Sequence, residues 1–237
     1  MVPVPDRLHG MTIAVLGDIH GNRRALEAVL AEPDVQAATT VLIAGDVVPG
    51  PHTAEVTGML RELGSRVVYV RGNGDREVAQ AVLTTTPETD DIHVWTKRRL
   101  DIRDLARVAD LPIIVELESA MFCHATPARD DHTFTADTPD EDVRAAVAPI
   151  SRGTLVVAHT RHQFDRTIGE LRIVNAGSVG LPHEATPGAR WALVDGPQVY
   201  LRTTDYDHRA EANEWERSDF PEAQQWASML RTPHEAR

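Results

Sequence analysis

Short apolar, β-branched runs alternate along the chain with stretches whose apolar residues recur every three or four positions. The runs at 12–16, 41–44, 67–70, 113–117, 120–123 and 155–158 read as strands, and those at 171–174, 191–194 and 198–201 as later ones. Nearly unbroken apolarity suits strands covered on both faces. Between the first two runs, Asn22 is placed to cap a helix presenting Leu26, Val29 and Leu30 on one side. Thr53 caps a second, with Val56, Met59, Leu60 and Leu63 at helical spacing. Strand–helix–strand–helix–strand at the head of the chain implies right-handed parallel crossovers and an α/β class. The later strands follow one another with few helices between them, which predicts a second, more antiparallel sheet.

Residues 76–112 look helical but polar, and predict a helical insertion over one end of the sheet. Residues 127–142 hold Arg129, Asp130, Asp131, Asp137, Asp140, Glu141 and Asp142 with little apolar content, and read as a surface loop. The expected division is a tail over 1–10, a domain over 11–208 and a helical extension over 209–237. The tail reads as a disordered arm or an overlong start.

Composition narrows the function. With 237 residues, 42% hydrophobic and 25% charged, the chain is ordinary for a globular domain. The net charge of −12 disfavours duplex nucleic acid as a partner, but leaves a small phosphorylated substrate open if cations line its site. No apolar run nears the roughly 20 residues of a membrane span, and the first residues lack the apolar core of a signal peptide. Cys123 is the only cysteine, which suits a reducing cytoplasm.

The chemistry gathers at strand ends. Five runs finish, within about two residues, in a metal-capable side chain: Asp18 and His20, Asp46, Asn73 with Asp75, His124, and His159 with His162. In open α/β sheets ligands bind beyond the carboxyl ends of the strands. Carboxylates, an amide and imidazoles meeting there make a mixed oxygen and nitrogen site, suited to Mn, Fe, Co, Ni or Zn. Each residue alone also fits a turn or a satisfied core histidine; five strand ends agreeing is what favours a metal site.

In order and spacing, the blocks Asp18-Ile19-His20, Gly45-Asp46, Gly72-Asn73-Gly74-Asp75, His124 and His159-Thr160-Arg161-His162 resemble the calcineurin-like metallophosphoesterase superfamily. The resemblance runs over residues 12–203 and is closest to its small bacterial and archaeal phosphodiesterase branch. It implies a four-layer αββα sandwich with two mixed sheets, and two divalent transition-metal ions, manganese favoured. Asp46 would bridge them; Asp18, His20 and the last histidine of the fifth block would complete one ion, and Asn73, His124 and His159 the other. A hydroxide between the ions would attack phosphorus in line with the leaving oxygen, hydrolysing a small nucleotide-like phosphodiester. A phosphomonoesterase and a metal-poor interaction scaffold are the alternatives.

Two departures from the pattern matter. Gly74 stands where many relatives carry a histidine that helps the leaving group, and His52 and His93 are the candidate stand-ins. Asp75 is retained, either to position a catalytic water or ligand, or as a turn residue. The usual His-Thr-His is here His159-Thr160-Arg161-His162, so strict alignment puts Arg161 on a ligand position that a guanidinium cannot fill. The favoured reading has His162 as the ligand and Arg161 on substrate phosphate. On that reading His162→Ala costs a metal equivalent and Arg161→Ala does not.

Residues 176–180 look like a degenerate nucleophile elbow, but no helix can start cleanly after them, so a structural turn is expected. Arg129 and His132 are candidates to frame the substrate opening. Met59, Trp95 and Trp226 are candidate anchors of a homo-oligomer, a role that core packing explains equally well.

Overall fold

The β-branched runs form the strands expected of them, and the loops at their ends carry the polar residues. The computed structural model describes residues 11–83, 86, 91–118 and 120–231; the expected tail at 1–10 lies outside them. In chain order the elements are β1 (Thr12–Leu16), α1 (Arg23–Ala31), α2 (Pro33–Ala37), β2 (Thr40–Ala44), α3 (Thr53–Glu62), β3 (Val67–Val70) and α4 (Asn73–Gln80). There follow α5 (Ile92–Arg99), α6 (Ile102–Ala109), β4 (Ile114–Leu117), β5 (Ala120–Cys123), α7 (Asp140–Val147), β6 (Arg152–Val157), β7 (Phe164–Ile168) and β8 (Glu170–Asn175). The chain then runs through β9 (Ala189–Asp195), β10 (Gln198–Thr204), α8 (His208–Glu216) and α9 (Ala223–Arg231).

Two five-stranded sheets result, ordered β10-β9-β1-β2-β3 and β4-β5-β6-β8-β7. The crossovers at the head of the chain are parallel, β1 to β2 and β2 to β3. The second sheet is less antiparallel than its strand spacing suggests, because β5, β6 and β8 run parallel. β9 and β10 belong to the first sheet instead, β9 antiparallel to β1 and β10 antiparallel to β9. β7 is an edge strand whose three central residues, Asp165, Arg166 and Thr167, are polar, which hid it from a search for apolar runs. The region over 76–112 holds three short helices, broken where Asp91 and Asp101 cap α5 and α6. α7 begins inside the acidic stretch read as loop; Val143 and Val147, one helical turn apart, bury its inner side.

Three apolar clusters stack these elements into four layers, αββα. Between the sheets Ile13, Val15, Leu42 and Ala44 meet Phe122, Val156 and Val174. Outside the first sheet Leu16 and Ile43 pack with Leu26, Val29, Val56, Leu60 and Val78 of the flanking helices. Outside the second, Val143 and Val147 of α7 cover Leu155, Val157 and Ile173. No helix among the described residues is long and apolar enough to cross a membrane.

A fourth cluster joins the C-terminal helices to the rest through Trp215, Phe220, Trp226 and Leu230, with Trp95 of α5 and Leu181. Its polar anchor is Glu211, fully buried on α8. Oε1 accepts from the Arg23 amide at 3.0 Å, from Trp215 Nε1 at 3.0 Å and from His52 Nδ1 at 2.9 Å. Oε2 lies 3.4 Å from Arg24 Nε. One carboxylate thus ties α8 to the start of α1 and to the loop before α3. Removing one partner of a buried charge network typically costs about 3–5 kcal/mol. Glu211→Ala is therefore expected to lower unfolding stability by about that much in urea melts; a loss under about 1 kcal/mol would mean the anchor is weaker than its burial suggests.

Candidate metal centre

The site lies at the carboxyl ends of β1, β2, β5 and β6, where the two sheets bring their terminal loops together. The loop after β1 is laced to the loop after β2: the Asp18 amide donates to the Gly45 carbonyl at 3.0 Å, and the His20 amide to the Asp46 carbonyl at 3.1 Å. Sharp turns aim the side chains inward. Asp18, His20, Asp46, His159 and Arg161 all have left-handed backbones, with φ of 50°, 49°, 53°, 64° and 61°. That conformation costs a non-glycine residue about 1–3 kcal/mol and gathers at functional sites. Gly45 has φ +87° and a Cβ there would stand 2.5 Å from His124 Nδ1, so only glycine fits.

Donor atoms converge. One atom from each of Asp18, His20 and Asp46 falls within a 4.8 Å cluster, and all three side chains are buried. Asp46 Oδ1 accepts from the Gly74 amide at 2.8 Å. Its Oδ2 lies 3.5 Å from Nε2 of both His20 and His124, the placement of a carboxylate shared between two sites. His124 Nδ1 donates to the Ala44 carbonyl at 2.7 Å and His20 Nδ1 to the Pro49 carbonyl at 3.3 Å. A carbonyl only accepts, so in both rings Nε2 is the atom left to ligate. His159 Nδ1 comes within 3.2 Å of His124 Nε2, and its Nε2 faces the Thr133 hydroxyl at 3.4 Å.

The residues fit a metal by a direct criterion. Asp18 Oδ1, His20 Nε2 and Asn73 Oδ1 are buried without a hydrogen-bond partner. Buried polar atoms are costly to leave unpaired, and such atoms on the loop after β1 and at the start of α4, both beyond strand ends, suit an ion. The carboxylate and imidazole set suits Mn, Fe, Co, Ni or Zn. A second acidic grouping, His52 with Glu211 and Glu214, is already neutralised by Arg23 and Arg24.

The other predicted site residues go elsewhere. His162 is not brought to the cluster: its Nε2 faces Glu184 at 3.7 Å and its side chain is 45% exposed. Arg161 turns in instead, with Nε 3.5 Å from Asp18 Oδ1. With a left-handed backbone at Arg161, the two consecutive side chains diverge, Arg161 toward Asp18 and His162 toward Glu184. Asp75 is fully buried as a clamp: it accepts from the amides of Gly72 and Asp46 at 3.0 and 2.9 Å, and from those of Val47 and Val48 at 3.1 and 3.3 Å. It holds the loop after β2 against the start of α4. Burial and the Asp46 carboxylate push its pKa up to about 7 against those amides.

The candidate stand-ins for the missing histidine are also engaged. His52 is bound to Glu211, and His93 Nε2 lies 3.1 Å from Glu77. Position 74 itself is closed to a side chain, since a Cβ would stand 2.5 Å from the Val48 carbonyl oxygen. Arg129, 63% exposed, is paired with Asp131. Ser178 is buried in a turn, donating to the Asp18 carbonyl and accepting from the Leu181 amide, each at 2.8 Å. Sequence reasoning missed Thr133, which nothing in the acidic loop singles out.

Charges in the cluster restrain one another. Burial alone would lower the His124 pKa, but the Asp46 and Asp18 carboxylates outweigh it and hold the value up at about 10. Asp18 and Asp46 are held low, burial notwithstanding, chiefly by the His124 charge. Burial and the neighbouring His124 charge lower His159. A ligating imidazole must be neutral. Loading the metal-free protein with Mn2+ at pH 7 is therefore expected to release a proton, with affinity rising as pH climbs toward 10. Calorimetric titration in buffers of different ionisation enthalpy reads the proton directly, and a buffer-independent heat would contradict it.

Comparison with known proteins agrees with this geometry. Residues 11–196 match the family model for the calcineurin-like phosphoesterase superfamily domain. An uncharacterized protein of Methanocaldococcus jannaschii is 25% identical over 218 residues, 82% of this chain and 88% of the relative. A symmetrical bis(5'-nucleosyl)-tetraphosphatase of Pectobacterium carotovorum is 30% identical over 105 residues, only 38% of this chain and 37% of that enzyme. The crystal structure of a metallophosphoesterase from Sphaerobacter thermophilus superposes with a TM-score of 0.82 at 20% identity, covering 94% of this chain and 99% of that one. The chain belongs to the calcineurin-like phosphoesterase superfamily, membership of which implies a hydrolase of phosphoester bonds that normally works with two metal ions.

Proposed function

We propose that this protein is a dinuclear metal-dependent phosphodiesterase acting on a small nucleotide-like substrate, with Asp18, His20, Asp46, Asn73, His124 and His159 holding the ions. The observation that carries the reading is the set of buried, unpartnered donor atoms on Asp18, His20 and Asn73, with Arg161 beside them. Two bound ions would supply a water of lowered pKa and neutralise charge growing on the phosphoryl oxygens. Manganese is the ion favoured by the family resemblance, among those the donor set suits.

Arg161 stands where strict alignment puts a ligand, and its guanidinium can bind a phosphoryl oxygen while Nε faces Asp18. Two further arginines nearby, Arg71 and Arg76, are spent on Asp130. A single guanidinium facing the cluster suits the single charge of a diester better than the double charge of a monoester. The Pectobacterium relative, a bis(5'-nucleosyl)-tetraphosphatase, supports a nucleotide-like substrate over the part of the chain it matches. A cytoplasmic location accords with the lone buried thiol of Cys123.

With Mn2+ restored, bis-p-nitrophenyl phosphate is expected to turn over with a kcat/KM at least about tenfold above that of p-nitrophenyl phosphate. The opposite order would make the protein a phosphomonoesterase, and no turnover with either would favour the scaffold. A hydrogen bond to a charged group contributes about 1.5–3 kcal/mol. Arg161→Ala is accordingly expected to cut diester kcat/KM by about tenfold to a hundredfold, mainly through KM. His162→Ala is expected to leave the number of bound ions unchanged, measured by mass spectrometry of metal content; loss of one equivalent would return His162 to the ligand set.

A further inference from the structure

The matched domain ends at residue 196, yet the C-terminal helices reach the metal cluster. Trp226 of α9 meets the His20 imidazole edge-on, with ring centroids 5.6 Å apart and planes at 89°. Both side chains are buried, His20 at 2% and Trp226 at 7% exposure. Trp226 is itself fixed: its Nε1 donates to Glu222 at 3.0 Å, and it packs against Phe220 at 4.9 Å and Trp215 at 6.1 Å between ring centroids.

His20 needs this support more than its counterpart does. The hydrogen bond that orients His124 is 2.7 Å long, while that of His20 is 3.3 Å. One long hydrogen bond selects the tautomer but leaves the ring free to tilt about it. The perpendicular contact with Trp226 removes that tilt and keeps Nε2 turned toward Asp18 and Asp46, 3.7 and 3.5 Å away. Glu211 fastens the same helical pair at the Arg23 amide, three residues beyond His20, so the turn bearing the ligand is held on both sides.

We propose that Trp226 is a positioning residue of the metal centre, and that the C-terminal helices serve to orient His20 for ion binding. This rests on the reading of His20 as a ligand. Groups that orient a ligand typically change metal affinity by about tenfold to a hundredfold when removed.

The test is Mn2+ titration of the metal-free full-length protein, followed by calorimetry, for the wild type and for His20→Ala, Trp226→Leu and Trp226→Phe. His20→Ala should abolish one of two binding events. Trp226→Leu should weaken that same event about tenfold and leave the other within about twofold. Trp226→Phe, which keeps a ring, should stay within about threefold of wild type on both. If Trp226→Leu does not fold, Trp226→Met, which keeps much of the volume without a ring, takes its place under the same expectation. Wild-type affinities in the Leu or Met variant, with one event still lost in His20→Ala, would overturn the positioning role alone. Equal weakening of both events would reduce Trp226 to packing and overturn it as well. Unchanged binding in His20→Ala would instead remove the ligand reading on which the proposal stands.

Discussion

Two carboxylates, Asp18 and Asp46, are buried side by side at the ends of adjacent parallel strands, and the rest of the site answers that constraint. Like charges in a low-dielectric interior repel strongly, and each must be paired or neutralised. The protein does part of this with backbone amides: the His159 amide donates to Asp18 Oδ2 and the Gly74 amide to Asp46 Oδ1. His124, kept protonated by the pair, does more. What remains unmet is Asp18 Oδ1, with the lone pair of His20 Nε2 beside it. A divalent ion satisfies both at once, so the same burial that makes the metal-free cluster costly makes a bound ion strongly favoured.

The architecture holds that arrangement by making loops rigid. Asp75 uses four amides to lock the loop after β2, and Ser178 and Asn22 tie the 176–181 turn to the loop after β1. Left-handed residues are affordable there because so many hydrogen bonds over-determine the backbone. Closed packing also explains why position 74 is glycine. The Val48 carbonyl occupies the space a side chain would need.

Much of this was legible in the sequence, for definite reasons. Apolar β-branched runs are fixed by burial, so β1, β2, β3, β5, β6 and β8 could be placed, and with them the side chains that follow by one or two residues. Sheet membership could not be read from spacing, since β9 reaches the first sheet through long-range pairing with β1. The facing of Arg161 and His162 could not be read either. It depends on one backbone torsion at Arg161, and a pattern of residue types carries no torsions. Asp75 shows the same limit: its spacing fits a positioning carboxylate and a turn residue alike, and the four amides that it gathers could not be read from it.

The exchange of histidine for arginine ties these strands of argument together. With Arg161 beside Asp18 Oδ1 and His162 turned to Glu184, an ion bound on that side would share its carboxylate with a permanent cation and lack that second imidazole. Its remaining ligands must then be better ordered than in a fully coordinated site, because misorientation can no longer be made good by another donor. His20 is the one imidazole left there, and its own hydrogen bond is the longer of the two that orient the cluster's histidines through backbone carbonyls. An aromatic wall outside the matched domain, anchored through a buried carboxylate at the start of α1, supplies order from a direction the sheets cannot reach. On the proposed reading, the arginine turned toward Asp18 on one loop and the aromatic support from the C-terminal helices would bear on the same ion.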